Sequence, residues 1–247
     1  YMVDKTLSKV CEGKTPSEIL DISVADIACG SGIFLEEAFA YLQDYCVQWY
    51  ICNGQTDHLI ETGIDLYKLP LQEKKDILCS CIYGIDIDIH AVEVAKFSLL
   101  IKLIEDETAP SVSEVVPILP DLGDNIQFGN SLVSQTELNG ISGANHQMME
   151  IAPFDWSTIN NGCGFDVIIG NPPYVNTEGM HALLPSAEVE IYKKKYKTSH
   201  KQFDKYFIFI EQAINKINEN GLVCYIVPNK FFKIGAGEKL RNLIAKE

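Results

Sequence analysis

The amino-acid sequence predicts an α/β fold in which helices cover both faces of a mainly parallel, doubly wound sheet. Strand-like and helix-like segments alternate along the 247 residues, which is the arrangement that produces parallel sheets. Phe165–Ile169 is an almost wholly apolar strand, as expected near the centre of such a sheet. A glycine turn at Gly30–Gly32 separates the first strand from the first helix. The length predicts one or two domains.

The first half of the chain is predicted to contain three strands and two helices. Both helices carry apolar residues at helical spacing, and Asp88 stands where it could cap the second helix. The elements are, in order, a strand at Asp21–Ala28, a helix at Ile33–Tyr50, a strand at Cys81–Asp86, a helix at His90–Ile104 and a strand at Asn125–Gly129. Residues 53–75 are interpreted as a connection with a short helix near its end, and residues 105–124 as a loop.

The second half is predicted to add two strands and two helices. Residues 134–164 are rich in Asn, Gly and Ser and are interpreted as an insertion. After Phe165–Ile169 come a long mobile loop at residues 175–200, a helix at Asp204–Asn218, a strand at Leu222–Val227 and a helix at Gly237–Lys246. Asn220-Gly221 is predicted to end the helix that begins at Asp204 in the manner of a C-cap.

Charge and cysteine content restrict the possible functions. The formal net charge of −14 argues against a protein that coats DNA, because phosphate neutralisation needs clustered Lys and Arg. The segment 193–205 is rich in lysine and has one acidic residue, which fits an enzyme that touches nucleic acid locally. The eight cysteines form no CxxC pair and are interpreted as reduced thiols of a cytoplasmic protein without a metal site. No apolar run approaches the ~20 residues of a membrane span.

Each of the first three predicted strands ends in a turn that could bind a ligand, because doubly wound folds bind ligands at the carboxyl ends of their strands. The first turn, DIACGSG at residues 26–32, lets a ligand approach the backbone through its glycines. The second strand ends at Asp86, which could accept both hydroxyls of a ribose, and Ile87, which could pack on an adenine. Asn130 follows the third strand. Each of these turns, taken alone, could be a simple turn.

The fourth motif, NPPY at residues 171–174, follows the apolar strand. Its two prolines fix the backbone, so the Asn171 side chain and the Pro172 carbonyl can converge on one point. Two fixed acceptors suit the two N–H donors of an exocyclic amine and would orient its lone pair towards an electrophilic methyl group. Tyr174 offers a flat face on which a base could stack.

The order DIACGSG, GIDID, FGNS and GFDVIIGNPPYV resembles the amino-group DNA methyltransferases. The sequence is most similar to the large adenine-specific branch found in combined restriction–modification enzymes, and the later segments VPNKFF and KLRNL agree with it. The resemblance covers most of the chain. It implies the Rossmann-like fold of S-adenosylmethionine-dependent methyltransferases and S-adenosylmethionine as methyl donor, with no metal needed for the transfer. The implied acceptor is the N6 amine of an adenine flipped out of double-stranded DNA.

The resemblance also implies roles for individual residues. The implied cofactor site consists of Asp26, Ala28, Cys29, Gly30, Gly32, Asp86, Ile87 and Asn130. In it Asp86 binds the ribose, and Asn130 stands where the family usually has an Asp that contacts the adenine amine. The implied catalytic motif consists of Asn171, Pro172, Pro173 and Tyr174.

Further contacts with DNA are predicted outside these motifs. Lys193 and Lys201 are candidates for phosphate contacts, and a solvated loop is the alternative for that segment. Phe231 and Phe232 are candidates for stacking on the base, and positions in the hydrophobic core are the alternative for them.

Two departures from the family pattern lead us to expect a partial catalytic domain over residues 1–247. The Thr-Pro element that precedes a helix like Tyr1–Lys9 in the family is missing, and so are two strands after the last predicted helix. Residues 53–80, 134–164 and 175–200 are expected to be insertions or loops. We expect this fragment to be inactive alone and to reach DNA through a target-recognition domain outside it; the full-length protein could also carry a nuclease.

Other functions stay open on the sequence alone. Cytosine N4 is an alternative target, although NPPY is more typical of adenine and SPPY of cytosine. A glutamine side chain or guanine N2 of RNA could receive the methyl group, but the insertion at 134–164 and the VPNKFF segment argue against these substrates. The intact NPPY and Asp86 argue against a non-catalytic DNA-binding module. The absence of GxGxxG argues against a nicotinamide oxidoreductase.

Overall fold

The computed structural model describes residues 1–108, 116–139 and 147–246. Its strands are β1 (Val24–Asp26), β2 (Ile60–Gly63), β3 (Leu66–Lys68), β4 (Ile82–Asp86), β5 (Ile126–Phe128), β6 (Phe165–Gly170) and β7 (Ile217–Tyr225). Five of them form one sheet in the order β5-β4-β1-β6-β7, with every neighbouring pair parallel. β2 and β3 form a separate antiparallel hairpin, which the sequence analysis did not predict. The mainly parallel α/β sheet is confirmed.

Helices lie along the chain between these strands. They are α1 (Met2–Cys11), α2 (Pro16–Ile19), α3 (Ile33–Cys52), α4 (Leu71–Cys81), α5 (Ile89–Ile104), α6 (Gln135–Asn139), α7 (Met148–Ile151), α8 (Thr177–Leu183), α9 (Ser186–Lys195), α10 (Lys205–Lys216) and α11 (Glu238–Ile244). The helices predicted at Ile33–Tyr50, His90–Ile104 and Gly237–Lys246 correspond to α3, α5 and α11. The predicted cap is also confirmed, since the Asp88 carboxylate accepts a hydrogen bond from the N–H of His90 at 2.9 Å.

The sheet buries side chains on both faces. In β6, Ile168 belongs to one hydrophobic cluster, whereas Val167 and Ile169 belong to the other, because successive strand side chains point to opposite faces. Residues of α1, α3, α4 and α5 complete one cluster, and residues of α9 and α10 complete the other. Burial on both sides explains why the strand sequence is almost wholly apolar, and it makes the fold doubly wound.

The prediction of a long mobile loop at residues 175–200 is wrong. This segment forms α8 and α9, and α9 buries Val189, Ile191 and Tyr192. The lysines at 193–195 lie in the last turn of α9, where positive charge is favourable beside the helix C-terminus. The prediction failed because the segment is largely polar, and the few apolar residues of its helix pack against distant parts of the chain.

The helix predicted at Asp204–Asn218 ends earlier, at Lys216, and β7 begins at the next residue. Asn220, with a φ of 66°, lies inside β7 and does not form the predicted C-cap. The register between β6 and β7 shifts in this part of the strand. Because Asn tolerates the left-handed conformation, Asn220-Gly221 accommodates a bulge there. The predicted strand Leu222–Val227 corresponds to the second part of β7, and the strand predicted at Asp21–Ala28 is shorter, at Val24–Asp26.

The predicted insertions contain regular structure. Residues 134–164 hold α6, α7 and short 3₁₀ turns, while residues 140–146 lie outside the described residues. Residues 109–115 of the predicted loop at 105–124 also lie outside them. Within 53–80, α4 buries Leu71, Ile77 and Leu78 and packs against α3 and α5. In the three described ranges, no helix is long and apolar enough to cross a membrane.

Candidate functional site

A cavity of about 250 Å³ opens at the carboxyl ends of the central strands. The turns after β1, β4, β5 and β6 contribute to its wall, together with the start of α10. The structure therefore brings together residues that are far apart in the sequence. The predicted site residues that line the cavity are Ala28, Asp86, Ile87, Asn130, Asn171 and Pro173.

Asp86 joins two of these turns. Its Oδ2 accepts a hydrogen bond from the N–H of Gly30 at 2.8 Å, and its Oδ1 accepts one from the N–H of Asp88 at 2.9 Å. A carboxylate has about four lone-pair positions, so each oxygen keeps one for a ligand in the cavity. The two backbone bonds fix the plane of the carboxylate, which suits it to bind a pair of neighbouring hydroxyls.

The glycines of the first turn have different roles. Gly30 and Gly32 both have positive φ, at 54° and 88°, which a side chain would disfavour. A Cβ on Gly32 would also lie 3.0 Å from the Cβ of Ala95 in α5. Gly32 therefore permits close packing of α3 and α5, whereas Gly30 places its N–H against Asp86. Neither glycine is among the residues that line the cavity.

Asp26, a predicted cofactor-binding residue, does not line the cavity and packs against the end of β6. It is only 2% exposed, and its Oδ1 accepts a hydrogen bond from the N–H of Ala28 at 3.0 Å. Burial raises the pKa of Asp26 to about 7, the Ala28 N–H opposes that rise, and the charge of Asp86 adds to it. Gly170 packs so closely that a Cβ there would lie 2.5 Å from Oδ1 of Asp26. The buried thiol of Cys29 also stays outside the cavity lining.

The NPPY motif is braced by the strand beside it. The N–H of Ile226 donates to the carbonyl oxygen of Gly170 at 3.0 Å, and the Ile226 carbonyl accepts from the Tyr174 hydroxyl at 2.7 Å. The same hydroxyl is also within hydrogen-bonding distance of Asn171 Oδ1. Since a hydroxyl has one proton, it donates to one of these oxygens at a time. The Asn171 carbonyl oxygen thus keeps at least one lone pair for a ligand.

Two residues of the NPPY motif, Pro172 and Tyr174, do not line the cavity. Pro172 is buried, whereas Tyr174 is 46% exposed. The Tyr174 ring packs edge-on against Tyr206, with centroids 5.9 Å apart.

Sequence reasoning missed several residues of the site. Lys205 and Phe209 of α10 line the cavity. Lys205 is buried beside Glu188, with its Nζ 3.7 Å from Oε1. Burial lowers the pKa of Lys205, and the charges of Glu188 and Asp86 oppose that shift. In the sequence, Lys205 belongs to the basic run that we interpreted as a phosphate contact. The only sequence signal that could have distinguished Lys205 from the other lysines of this run is its position at the start of an apolar helix.

None of the four residues predicted to contact DNA lines the cavity. Lys193 and Lys201 are exposed, and the Nζ of Lys193 lies 3.1 Å from Nε2 of His181. Phe231 is buried in the core, whereas Phe232 is 63% exposed and stacks on it with centroids 4.1 Å apart. Of this pair, Phe232 alone presents a ring to solvent.

The sheet and its covering helices have the fold of the S-adenosylmethionine-dependent methyltransferases. A Listeria monocytogenes protein assigned to class I of these enzymes superimposes with a TM-score of 0.51 at 15% identity, over 99% of this chain and 49% of its own. DrdV, solved by cryo-electron microscopy in complex with DNA, superimposes with a TM-score of 0.60 at 16% identity, over 100% of this chain and 21% of its own. Likeness at this level of identity shows the fold alone.

The sequence comparison identifies the family. Residues 80–247 match the Eco57I restriction-modification methylase family, and the chain belongs to that family. The type II restriction enzyme and methyltransferase RM.Eco57I of Escherichia coli is 44% identical over 245 residues, which are 99% of this chain and 24% of the relative. The chain thus spans about a quarter of the length of this relative. The predicted resemblance to the methylase domain of combined restriction–modification enzymes is confirmed.

Proposed function

We propose that the chain is the catalytic part of an enzyme that transfers a methyl group from S-adenosylmethionine to the N6 amine of an adenine flipped out of double-stranded DNA, and that it does not act alone. The observation that carries the proposal is the shared cavity: Asn171 of NPPY lines the same 250 Å³ space as Asp86 and Asn130. Methyl transfer requires the amine and the nucleoside cofactor to meet in one place, and this cavity offers acceptors suited to each. Membership of a restriction–modification family supports DNA as the substrate.

The residues that line the cavity fit an adenosyl cofactor. Asp86 has two free lone-pair positions for ribose hydroxyls, as its backbone bonds leave them open. Ile87 and Phe209 supply apolar surface for a purine, and Asn130 supplies an amide for its exocyclic amine. S-adenosylmethionine, when bound, supplies a methyl group on a positively charged sulfur, so the electrophile needs no metal.

Asn171 and Pro172 would act on the adenine amine. The lone pair of this amine is delocalised into the ring, which makes it a weak nucleophile. If its two N–H groups donate hydrogen bonds to Asn171 Oδ1 and to the Pro172 carbonyl oxygen, the nitrogen is favoured in a tetrahedral geometry. Its lone pair would then point at the methyl group. Pre-set acceptors of this kind stabilise developing charge without reorganisation. The hydrogen bonds of Ile226 to Gly170 and Tyr174 hold the turn in place.

Tyr174 would stabilise the flipped base. An adenine cannot reach the cavity from within a duplex, and flipping it out costs a few kcal/mol. The half-exposed ring of Tyr174 is braced by Tyr206, and stacking on such a ring contributes ~1–3 kcal/mol. Lys193, Lys201 and Phe232 are exposed and available for further DNA contacts. We propose that sequence recognition comes from a target-recognition domain outside this chain, in a cytoplasmic enzyme that could also carry a nuclease.

A matched pair of asparagine variants tests the proposal. The complete protein is purified and given DNA with labelled S-adenosylmethionine, as wild type, Asn171→Ala and Asn53→Ala. Asn53 is exposed at the far end of α3, a 20-residue helix about 30 Å long, so its replacement controls for loss of an amide. We expect transfer by the wild type and Asn53→Ala, and loss of at least about 100-fold in Asn171→Ala.

The nucleosides released from the product DNA identify the target. N6-methyladenine is the expected product. A folded wild type that leaves no label in DNA would contradict the proposed substrate, and full activity of a folded Asn171→Ala protein would contradict the proposed role of NPPY.

A further inference from the structure

Glu188 is a buried carboxylate with no part in the proposed transfer. It lies in the first turn of α9 and is 1% exposed. A carboxylate is seldom buried to this extent unless it is paired and hydrogen-bonded. Its Oε1 lies 2.9 Å from Nδ2 of Asn130, accepts the hydroxyl proton of Tyr192 and lies 3.7 Å from Nζ of Lys205. Three donors therefore converge on one oxygen next to the cofactor cavity.

These contacts use the donors of Asn130. Its side-chain amide has two N–H donors and one carbonyl oxygen with two lone pairs. Nδ2 donates to Glu188 and lies 3.5 Å from the hydroxyl oxygen of Tyr192. The proton of that hydroxyl points to Glu188, so the oxygen is free to accept. Both amide hydrogens of Asn130 are thus directed at two fully buried side chains.

The carbonyl oxygen of Asn130 is used only in part. It accepts a hydrogen bond from the N–H of Leu132 at 3.1 Å, which leaves one lone pair. Asn130 also lines the cavity. In its described contacts, Asn130 therefore has no amide hydrogen left for a ligand, but its Oδ1 can still accept one hydrogen bond.

We propose that Glu188 is a positioning residue that sets the purine selectivity of the cofactor pocket through Asn130. As a carboxylate it offers acceptors alone, so Asn130 cannot turn its carbonyl oxygen towards Glu188 without bringing two acceptors together. The same rotation of the amide would point Nδ2 at the N–H of Leu132 and bring two donors together. Asn130, although neutral, is thereby made to act as an acceptor. The pocket then takes a purine with an amino group at C6 and rejects one with a carbonyl oxygen there.

This inference rests on the proposed function, because it assumes that an adenosyl group occupies the cavity. Its test compares the affinities of the complete protein for S-adenosylhomocysteine and for the deaminated analogue S-inosylhomocysteine, measured by calorimetry. We expect the wild type to prefer the amino compound by at least about 100-fold, because a site built around one hydrogen-bonding pattern strongly rejects the opposite one. A merely structural role of Glu188 would change both affinities and leave their ratio unaltered.

Two variants at Glu188 distinguish the effect of its hydrogen-bond acceptor from the effect of its side-chain volume. Glu188→Met keeps the length of the side chain but removes the acceptor, so an amide hydrogen of Asn130 becomes available to a carbonyl ligand. We expect the preference to fall below about tenfold. Glu188→Gln retains an oxygen that can accept from Asn130, and we expect it to keep the wild-type preference.

Several results would overturn the inference. A wild type that binds the two compounds within about threefold of each other does so, and so does a folded Glu188→Met protein with the wild-type preference. If Glu188→Met does not fold, the double variant Glu188→Met/Lys205→Met also removes the lysine charge that the single change leaves unpaired; an unchanged preference in that folded variant also contradicts the inference. A wild type that binds neither compound contradicts the proposed function itself, and the inference with it.

Discussion

Replacement of Gly170 by alanine tests whether the end of β6 positions Asn171. A Cβ at residue 170 would lie 2.5 Å from Oδ1 of Asp26, whereas ordinary van der Waals contact begins at 3.4 Å. One of the two groups must therefore retreat by roughly 0.9 Å, as in other overpacked cores. Asp26 is fully enclosed and bonded to the N–H of Ala28. We expect the strand end to move instead, and Asn171 with it.

The size of this effect follows from the displacement. Overpacking of this kind lowers the free energy of unfolding by about 1–3 kcal/mol. A misplacement near 1 Å in a group that orients substrate lowers the rate by about 100-fold. Asp86 ends β4 and Asn130 comes after β5, so the affinity for S-adenosylhomocysteine should change little. The variant should thus lose kcat for methyl transfer while it still binds the cofactor product.

The assay measures kcat, thermal unfolding and cofactor-product binding for Gly170→Ala beside Gly235→Ala. Gly235 is exposed, and the nearest atom to a Cβ there is Nζ of Lys201 at 3.7 Å, so this control should behave as the wild type. Wild-type kcat and stability in Gly170→Ala would refute the reasoning that Asp26 and Gly170 jointly set the position of Asn171.

Three further replacements probe single groups of the site. Asp86→Asn should weaken binding of S-adenosylhomocysteine by about 10- to 100-fold, because hydrogen bonds to a charged group contribute ~1.5–3 kcal/mol; calorimetry measures this. Asp26→Asn should flatten the pH dependence of stability. Burial raises the pKa of Asp26 to about 7 from 3.8, so the folded protein binds this proton more tightly than the unfolded chain. The wild type should therefore lose stability, by at most about 4 kcal/mol, as pH rises from about 4 to about 7, and chemical denaturation across that range should show a smaller loss for the variant. Tyr174→Ala should lower kcat/KM for DNA by about 5- to 150-fold through lost stacking of ~1–3 kcal/mol, whereas Tyr174→Phe keeps the ring and should lose far less.

Each replacement also has an outcome that contradicts its rationale. Unchanged binding by Asp86→Asn would exclude the ribose role. Parallel stability curves for wild type and Asp26→Asn would mean that Asp26 titrates normally in the folded protein. Equal losses in Tyr174→Ala and Tyr174→Phe would assign the effect to the hydroxyl bonds with Asn171 and Ile226, and not to stacking.

The motifs at the strand ends could be predicted from the sequence because short-range rules determine them. A glycine turn after a buried strand, or two prolines after Gly170, restrict the backbone locally. Parallel strands then place their carboxyl ends at one edge, so Asp86, Asn130 and Asn171 meet in one cavity. Their convergence followed from the order of elements, without knowledge of the distances.

The segment around α9 could not be predicted in the same way. Its lysines suggested a solvated loop, while its apolar side chains find their partners in distant elements. Glu188 can be buried because Asn130 and Tyr192 donate hydrogen bonds to it and Lys205 forms an ion pair with it, and no local pattern in the sequence reveals these distant partners. The same holds for Lys205, since a lysine in a basic run gives no sign that it will be buried and line a cavity.

The conformation of Asn220-Gly221 could not be predicted from local sequence rules for turns. Asn-Gly is typical of both helix ends and irregular strands, and the choice between them depends on pairing with β6. Ile217 pairs with Phe165 and Leu222 with Val167, so tertiary pairing decides the outcome at this position.

The most direct measurement of the central claim is the content of modified bases in the DNA of cells that express the complete gene. The DNA is hydrolysed to nucleosides and analysed by mass spectrometry for wild type, Asn171→Ala and Asn53→Ala. N6-methyladenine in the wild type and Asn53→Ala, and its absence in Asn171→Ala, is the predicted result. N4-methylcytosine instead, or no modified base from a folded and well-expressed wild type, would contradict adenine-N6 methylation by this site.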